Sequence, residues 1–218
     1  MMSPNRDARV DFDRSQRIDM PEAIYCAGKT TDQCVAIVAE MLDKGDDAVV
    51  ATRTTDDQRS ALMAMQPRYQ SEQAWTVTWR HRTPTNLKVV VVTAGTSDLP
   101  VAGECHQTLE ALGHDVELIV DVGVAGLHRL MSVLDRLRGA DVIVAVAGME
   151  GALPTVLAGL IPQPIIAVPT SVGYGTAYGG QTALNSMLTS CAPGIAVVGI
   201  DNGYGAACVA HRILGPRQ

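Results

Sequence analysis

Five short segments of this chain combine glycine with hydroxyl, amide or acidic side chains, and each follows a strand-like apolar run. They are Thr93-Ala94-Gly95-Thr96-Ser97-Asp98, Asp121-Val122-Gly123-Val124-Ala125-Gly126, Ala147-Gly148-Met149-Glu150-Gly151, Thr170-Ser171-Val172-Gly173-Tyr174-Gly175 and Asp201-Asn202-Gly203-Tyr204-Gly205. Glycine lets the main chain approach a ligand closely, and the amides that open a following helix face outward with the positive end of its dipole. Each such interaction contributes about 0.3–1 kcal/mol, so several acting together hold a phosphate with few arginines. A single loop of this kind is explained equally well by a tight turn, with Ser97 or Asp98 capping a helix. Five on one edge favour a shared ligand site.

The elements that must position these loops alternate regularly from residue 88 onward. Strands are expected at 88–93, 116–120, 142–146, 165–168 and 195–198, apolar nearly throughout, as parallel strands covered on both faces must be. Between them lie helical stretches at 99–112, 127–137, 153–160 and 178–190, with a closing helix at 206–214. The pattern predicts an α/β fold, an open doubly wound parallel sheet with right-handed crossovers. All five strand exits then share the carboxyl edge, where ligands of open α/β sheets bind. Residues 1–87 are more polar and less regular, with a helix expected at 32–43 and strands at 48–52 and near 75–79. We read them as a small N-terminal α/β domain, separated by the turn-forming stretch 81–86, with Pro84, from a catalytic domain at 88–218.

Composition narrows the function classes. Apolar residues make up 47% and charged residues 18%, which predicts a packed core. The longest apolar runs fall far short of the roughly 20 residues of a membrane span, so no membrane partner is expected. The polar N-terminus lacks an apolar export segment, and the five cysteines are scattered without a C-x-x-C pair, which together point to reduced thiols in the cytoplasm. A net charge of −6 argues against a nucleic-acid surface. Of the 17 basic residues, twelve lie from Arg6 to Lys88, so an anion bound by the second half must rely on main-chain amides and on cations lent by the first half or another subunit. Lys29, Arg53 and Arg14 are candidates, though each alone suits a surface salt bridge. Cys26, Cys34, Cys105 and Cys208 are assigned to packing, and His106, His114 and His128 to solvent. Two familiar motifs are excluded. Gly28-Lys29-Thr30 lacks the earlier glycine of a P-loop, because Ala23 stands there, and the first strand does not exit into G-x-G-x-x-G.

The stretch from Thr93 to Asp98 with Leu99-Pro100 resembles the G-S-x-S-D-x-P signature of the carboxyaminoimidazole ribonucleotide mutases (PurE), a flavodoxin-like fold. Segments 147–154 and 196–202 resemble that family's third and fifth loops. Two mutase histidines are missing: Gly123-Val124-Ala125-Gly126 replaces S-A-H-R, and Ala147-Gly148-Met149-Glu150-Gly151-Ala152-Leu153-Pro154 replaces A-G-G-A-A-H-L-P. These departures are similar to the LarB family instead. That family shares P-E-x-I-x-x-x-G-K-T (Pro21 to Thr30), T-A-G-T-S-D, A-G-M-E-G-A-L-P, V-P-T-S-x-G-Y-G (Val168 to Gly175), S-C-A-P-G (Ser190 to Gly194) and I-D-N-G-[FY]-G-A (Ile200 to Ala206). The resemblance covers 11–214. Ala177-Tyr178 departs from it, standing where the family has serine followed by phenylalanine.

LarB-like enzymes carboxylate the pyridinium ring of nicotinic acid adenine dinucleotide at carbon 5 and hydrolyse its phosphoanhydride, giving pyridinium-3,5-biscarboxylic acid mononucleotide and AMP. This is the first step towards a nickel-pincer nucleotide cofactor. The resemblance thus implies that dinucleotide and carbon dioxide or bicarbonate as partners, no organic cofactor, magnesium as a possible aid to hydrolysis, and a homo-oligomer, by analogy with PurE an octamer. An electron-poor pyridinium does not attack carbon dioxide unless a nucleophile first adds to the ring. The S-C-A-P-G match makes Cys191 the thiolate; its spacing alone suits a small buried residue at a helix end equally. Glu150 becomes the base that removes the carbon-5 proton, against the reading of a surface helix cap. Asp98 and Asp201 would orient a ribose hydroxyl or a metal-bound water, and Thr96, Ser97 and Asn202 would contact phosphate or ribose. Gly95, Gly148, Met149, Gly151, Thr170, Ser171, Gly173, Tyr174 and Gly175 complete the expected binding surface. Cys191 precedes the fifth strand, on the amino edge, so it is expected to serve a neighbouring subunit. Two other readings stay open: a mutase-like carboxylase of another nucleotide, and a non-catalytic nucleotide-binding module.

Overall fold

The computed structural model describes residues 8–70 and 75–215. The first unit contains α1 (Arg14–Ile18), β1 (Ala23–Tyr25), α2 (Thr31–Lys44), β2 (Val49–Thr52), α3 (Asp56–Met63), β3 (Tyr69–Gln70) and β4 (Val77–Trp79). Its four strands run in the order β1-β2-β4-β3, with β1 and β2 parallel and β4 antiparallel to both its neighbours. Both longer helices begin in capping boxes, Thr30 with Gln33 and Thr55 with Gln58, which satisfy the first amides and fix where each helix starts. Ile24, Cys26, Cys34, Val38, Leu62, Val77 and Trp79 form the core between α2, α3 and this sheet. Of these elements the sequence pattern anticipates α2, β2 and β4. The others are too short for a period to show.

The second unit is the expected parallel sheet. Its strands are β5 (Lys88–Thr93), β6 (Asp115–Ile119), β7 (Val142–Ala147), β8 (Ile165–Pro169) and β9 (Ile195–Val197), in the order β6-β5-β7-β8-β9, parallel throughout. The connections are α4 (Leu99–Ala111), α5 (Leu127–Ser132), α6 (Leu134–Arg138), α7 (Leu153–Ala158) and α8 (Gln181–Leu188), and α9 (Gly203–Leu214) ends the fold. Strand residues alternate between two cores. Val90, Val92, Ile143, Ala145, Ile165 and Ala167 face α5 to α8. Val89, Val91, Val142, Val144, Ile166 and Val168 face α4 and α9. Burial on both sides explains why the runs are uninterruptedly apolar.

Three details depart from expectation. The helix expected at 127–137 breaks at Val133 (φ −110°, ψ 3°), where Ser132 Oγ donates back to the Arg129 carbonyl at 2.7 Å and diverts the ladder. The helix expected from 178 starts at Gln181, because Tyr178 and Gly179 are left-handed (φ 46° and 61°) inside a 3-10 turn. β9 is short and only half-buried, since an edge strand has one neighbour.

The N-terminal sheet lies on the outer side of α4, where Ala48 and Val50 meet Ala111. A polar junction ties the two units. Arg82 donates to Asp47 (2.7 and 2.8 Å) and to Asp19 Oδ1 (2.9 Å). His211 Nε2 faces the Asp19 carbonyl at 2.9 Å and Oδ2 at 3.1 Å, both acceptors, so it donates. Its Nδ1 then accepts from His114 Nε2 at 2.8 Å, and His114 Nδ1 has no partner among the described residues. His114 is therefore buried rather than solvated, which corrects the sequence expectation; His128 is exposed.

Candidate active site

The sheet order reverses between β5 and β7, and ligands of open α/β folds bind at the carboxyl ends of such strands. A cavity of about 310 Å³ opens there, between the first, second and third glycine-rich loops. Gly95, Ser97, Asp98, Gly148, Met149 and Glu150 line it. A second cavity, about 340 Å³, shares Ser97 and Val172 with the first and extends to Ser171, Asp201 and the N-terminal unit. Tyr174 and Gly175 flank Met149 and Glu150 from the fourth loop. Thr96 is exposed at the start of the 3-10 turn (Thr96–Asp98), and Asn202 caps α9 by accepting from Gly205 N at 2.8 Å. The carboxyl edge thus gathers the five loops, as their spacing implies.

Asp98 is the knot beneath them. It is buried, accepts from Gly95 N at 2.9 Å and from Thr170 Oγ1 at 2.7 Å, and so joins the first loop to the fourth. Burial raises its pKa above the ordinary carboxylate range; hydrogen bonds from Thr170, Gly95 and Gly148 oppose this, and the nearby Asp201 adds to it. Asp201 is left-handed (φ 56°) and accepts from Ser171 N at 2.7 Å, joining the fifth loop to the fourth. These two carboxylates occupy main-chain amides that the sequence reading assigns to a phosphate. The amides of Thr96, Ser97 and Glu150 have no acceptor among the described residues, and Ser97 and Glu150 line the first cavity.

Glycine at 148 is a packing requirement. A Cβ there would meet Val172 O at 2.4 Å and Thr170 Oγ1 at 2.6 Å. Gly151 (φ 66°) lies under α8, with Ala183 Cα 3.0 Å from an added Cβ, and Gly173 packs against Ala177. Glu150 is exposed beside this cavity, with no ion-pair partner among the described residues. Arg129 lines the same cavity and pairs with Asp121 at 2.5 Å.

Cys191 lies elsewhere. It is exposed in the turn between α8 and β9, next to Ser190, whose Oγ is 2.8 Å from Thr155 Oγ1 on α7. That turn is at the amino edge, where Gly194 O accepts from Ile165 N at the start of β8. The five residues of β8 span about 16 Å at ~3.3 Å each, so within one chain that turn and the fourth loop lie at opposite ends of the strand.

The cation lent by the first half is Arg53. Left-handed at φ 56°, it reaches across the seam, donates to the Asp201 carbonyl, and places Nε 3.4 Å from Glu104 Oε1. Glu104, buried on α4, also accepts from Thr52 Oγ1 and from Tyr204 N at 3.0 Å. The sequence reading passed over Glu104; its signal was a lone carboxylate between Gly103 and Cys105 in the buried stripe of α4. Lys29 and Arg14 instead make local contacts, to Tyr25 O and Glu22. Among the described residues no three histidine, cysteine or acidic side chains converge to hold a metal, and Asp98 and Asp201 are engaged by chain donors. A dedicated magnesium site does not fit these residues. Among the described residues, no helix is long and apolar enough to cross a membrane.

Sheet order, reversal point and loop cavity define a PurE-like α/β protein. The structure of Treponema denticola PurE superposes over 59% of this chain and 80% of its own, with a TM-score of 0.51 at 20% identity, a likeness of fold. Residues 88–218 match the AIR carboxylase family, and residues 4–81 match the LarB/PurE-like N-terminal domain. The chain belongs to the AIR carboxylase family and carries a LarB/PurE-like N-terminal domain. Uncharacterized protein MJ0165 of Methanocaldococcus jannaschii is 38% identical, across 94% of this chain and 83% of that protein. The N5-carboxyaminoimidazole ribonucleotide mutases of M. jannaschii and Pyrococcus abyssi are 34% and 37% identical, each over 58% of this chain and 78% and 73% of their own lengths.

Proposed function

We propose that this protein carboxylates the pyridinium ring of nicotinic acid adenine dinucleotide at carbon 5 and hydrolyses the phosphoanhydride, releasing AMP. The observation that carries this reading is the pairing of a LarB/PurE-like N-terminal domain with a switch-point cavity that, among the described residues, no histidine lines. A mutase-type site relies on histidine there. In its place this cavity offers a carboxylate, Glu150, on a glycine loop.

The chemistry follows from what a pyridinium needs. The Cys191 thiolate adds to a ring carbon, and the ring's positive charge is neutralised as a dihydropyridine forms. Its carbon 5, now enamine-like, attacks carbon dioxide and forms the new carbon–carbon bond. Glu150 takes the carbon-5 proton, and the sulfur leaves with its electron pair as aromaticity returns. A water molecule attacks one phosphorus of the anhydride, and AMP departs. The amides of Thr96 and Ser97, at the positive end leading into α4, hold the phosphate charge.

Because Cys191 lies on the opposite edge from Glu150, the thiolate belongs to the site of another copy, and the working unit is a homo-oligomer, by analogy with PurE an octamer. Support comes from apolar side chains left exposed around the carboxyl edge and the α5–α8 face: Leu127 and Met131 at 48%, Tyr174 at 81%, Tyr178 at 74% and Leu188 at 63%. Large apolar side chains left in water at several places are candidates for burial against another copy. The five cysteines are free, in keeping with a reducing cytoplasm. The test is to incubate the protein with the dinucleotide and bicarbonate and measure AMP and the dicarboxylated mononucleotide. Wild type yields both, and Cys191→Ala loses the carboxylated product. Binding without AMP release would mark a nucleotide-binding module, and turnover of an aminoimidazole ribonucleotide would mark a mutase.

A further inference from the structure

Glu104 lies on the buried face of α4, 4% exposed, and donors from three places in the chain turn towards it. Its Oε1 accepts from Thr52 Oγ1 at the end of β2 and from Arg53 Nε at 3.4 Å, and its Oε2 accepts from the Tyr204 amide at 3.0 Å, in the first turn of α9. Glycine at 203 permits that approach, because a Cβ there would stand 2.2 Å from Val101 O and 3.0 Å from Glu104 Oε2. Burying a carboxylate carries a desolvation cost that a packed apolar side chain avoids, so packing alone gives little reason for a charge here. What the carboxylate adds is direction. One oxygen holds the N-terminal unit and the other holds the start of α9.

From there the contacts continue to the third loop. Arg53 Nη2 donates to the Asp201 carbonyl, and Asp201 Oδ1 accepts from Ser171 N at 2.7 Å in the fourth loop. Val172 O then accepts from Met149 N at 2.8 Å, one residue before Glu150. Arg53, Asp201 and Met149 are all left-handed (φ 56°, 56° and 54°), so each turn is held by its bonds against the ordinary backbone preference. We infer that Glu104 is a positioning residue: through Arg53 and the Tyr204 amide it sets the fifth loop, and through Ser171 and Val172 it sets Glu150 for proton removal. The N-terminal unit would thereby govern the catalytic loops without touching the reacting atoms. This assignment rests on the carboxylation reading above. A run of contacts is a coupling only when its far end responds to a change at the near one.

The test uses the full chain carrying Glu104→Gln, whose amide has a single accepting oxygen and cannot serve both the Thr52–Arg53 side and the Tyr204 amide. Two readouts are taken on the folded protein: steady-state formation of the dicarboxylated mononucleotide, and hydrogen–deuterium exchange of segments 169–175 and 199–206, with strand segment 142–147 as reference. Exchange should quicken in 169–175 and 199–206 and stay unchanged in 142–147. The kcat should fall on the order of tenfold or more with KM for the dinucleotide nearly unchanged, as a displaced base rather than a lost binding contact requires. Arg53→Lys, at a partly exposed position that tolerates substitution, should give the same pattern, because one ammonium cannot hold Glu104 and the Asp201 carbonyl as the guanidinium does. Lower stability with kcat per folded chain unchanged overturns the inference, as does unchanged exchange of 169–175 in both variants. If wild type makes no carboxylated product, the reaction proposed above fails, and the exchange of 169–175 alone decides whether the carboxylate governs that loop.

Discussion

Placing Cys191 and Glu150 at opposite edges of one sheet makes a quantitative prediction about mixed oligomers. A thiolate attacks a ring only from about 3–3.5 Å, whereas β8 alone separates the amino-edge turn from the fourth loop by about 16 Å. The two ends of that strand are too far apart for direct attack, so the proposed chemistry would draw Glu150 from one chain and Cys191 from another. Cys191→Ala and Glu150→Gln should each lose carboxylation by on the order of a hundredfold or more when assembled alone. Equal amounts co-expressed and assembled at random should regain about one intact site in four, because each site draws its glutamate and its cysteine independently from two pools. The assay is formation of dicarboxylated mononucleotide per chain, with native mass spectrometry to verify mixing. Mixed oligomers with no recovered activity would refute the two-chain site. A Cys191→Ala enzyme at wild-type rate would remove the thiolate itself.

Three further perturbations follow from the same contacts. Burial first, then the neighbouring His211 and Arg82, lower the pKa of His114 from 6.5 to about 4, and protonation would place a hydrogen on the unpartnered Nδ1. The unfolded chain therefore takes up this proton first, so stability is complete above pH ~6.5 and falls by about 2 kcal/mol as pH drops towards 4, after discounting for solvent access. Urea titrations across that window should show the slope, and His114→Leu should flatten it. Gly148→Ala should lower Tm by roughly 5 °C and abolish tight dinucleotide binding in calorimetry, because its methyl overlaps Val172 O and Thr170 Oγ1. Glu104→Gln should cost about 1–3 kcal/mol in chemical denaturation, since it weakens a buried acceptor shared by Thr52, Arg53 and the Tyr204 amide. An unchanged midpoint would show that the seam does not depend on that carboxylate.

The parallel sheet and its loop edge were legible in the sequence for a local reason. Strands buried on both faces must be continuously apolar, as 142–147 are, and a chain leaving such a strand for a helix needs small and polar residues at the turn. Glycine positions, helix crossovers and the placement of Cys191 before the last strand all follow from order along the chain. What the tertiary structure alone decided are the contacts between distant positions. Asp98 and Thr170 are 72 residues apart, Thr52 and Glu104 are 52 apart, and Arg53 meets Asp201 across 148. No periodicity encodes such pairs, because each depends on how elements distant in sequence pack against one another in space. For the same reason the sequence could mark loop amides as anion binders but not show that Asp98 and Asp201 already occupy several of them. A carboxylate's role is set by the donors that surround it after burial, and those donors come from everywhere in the chain.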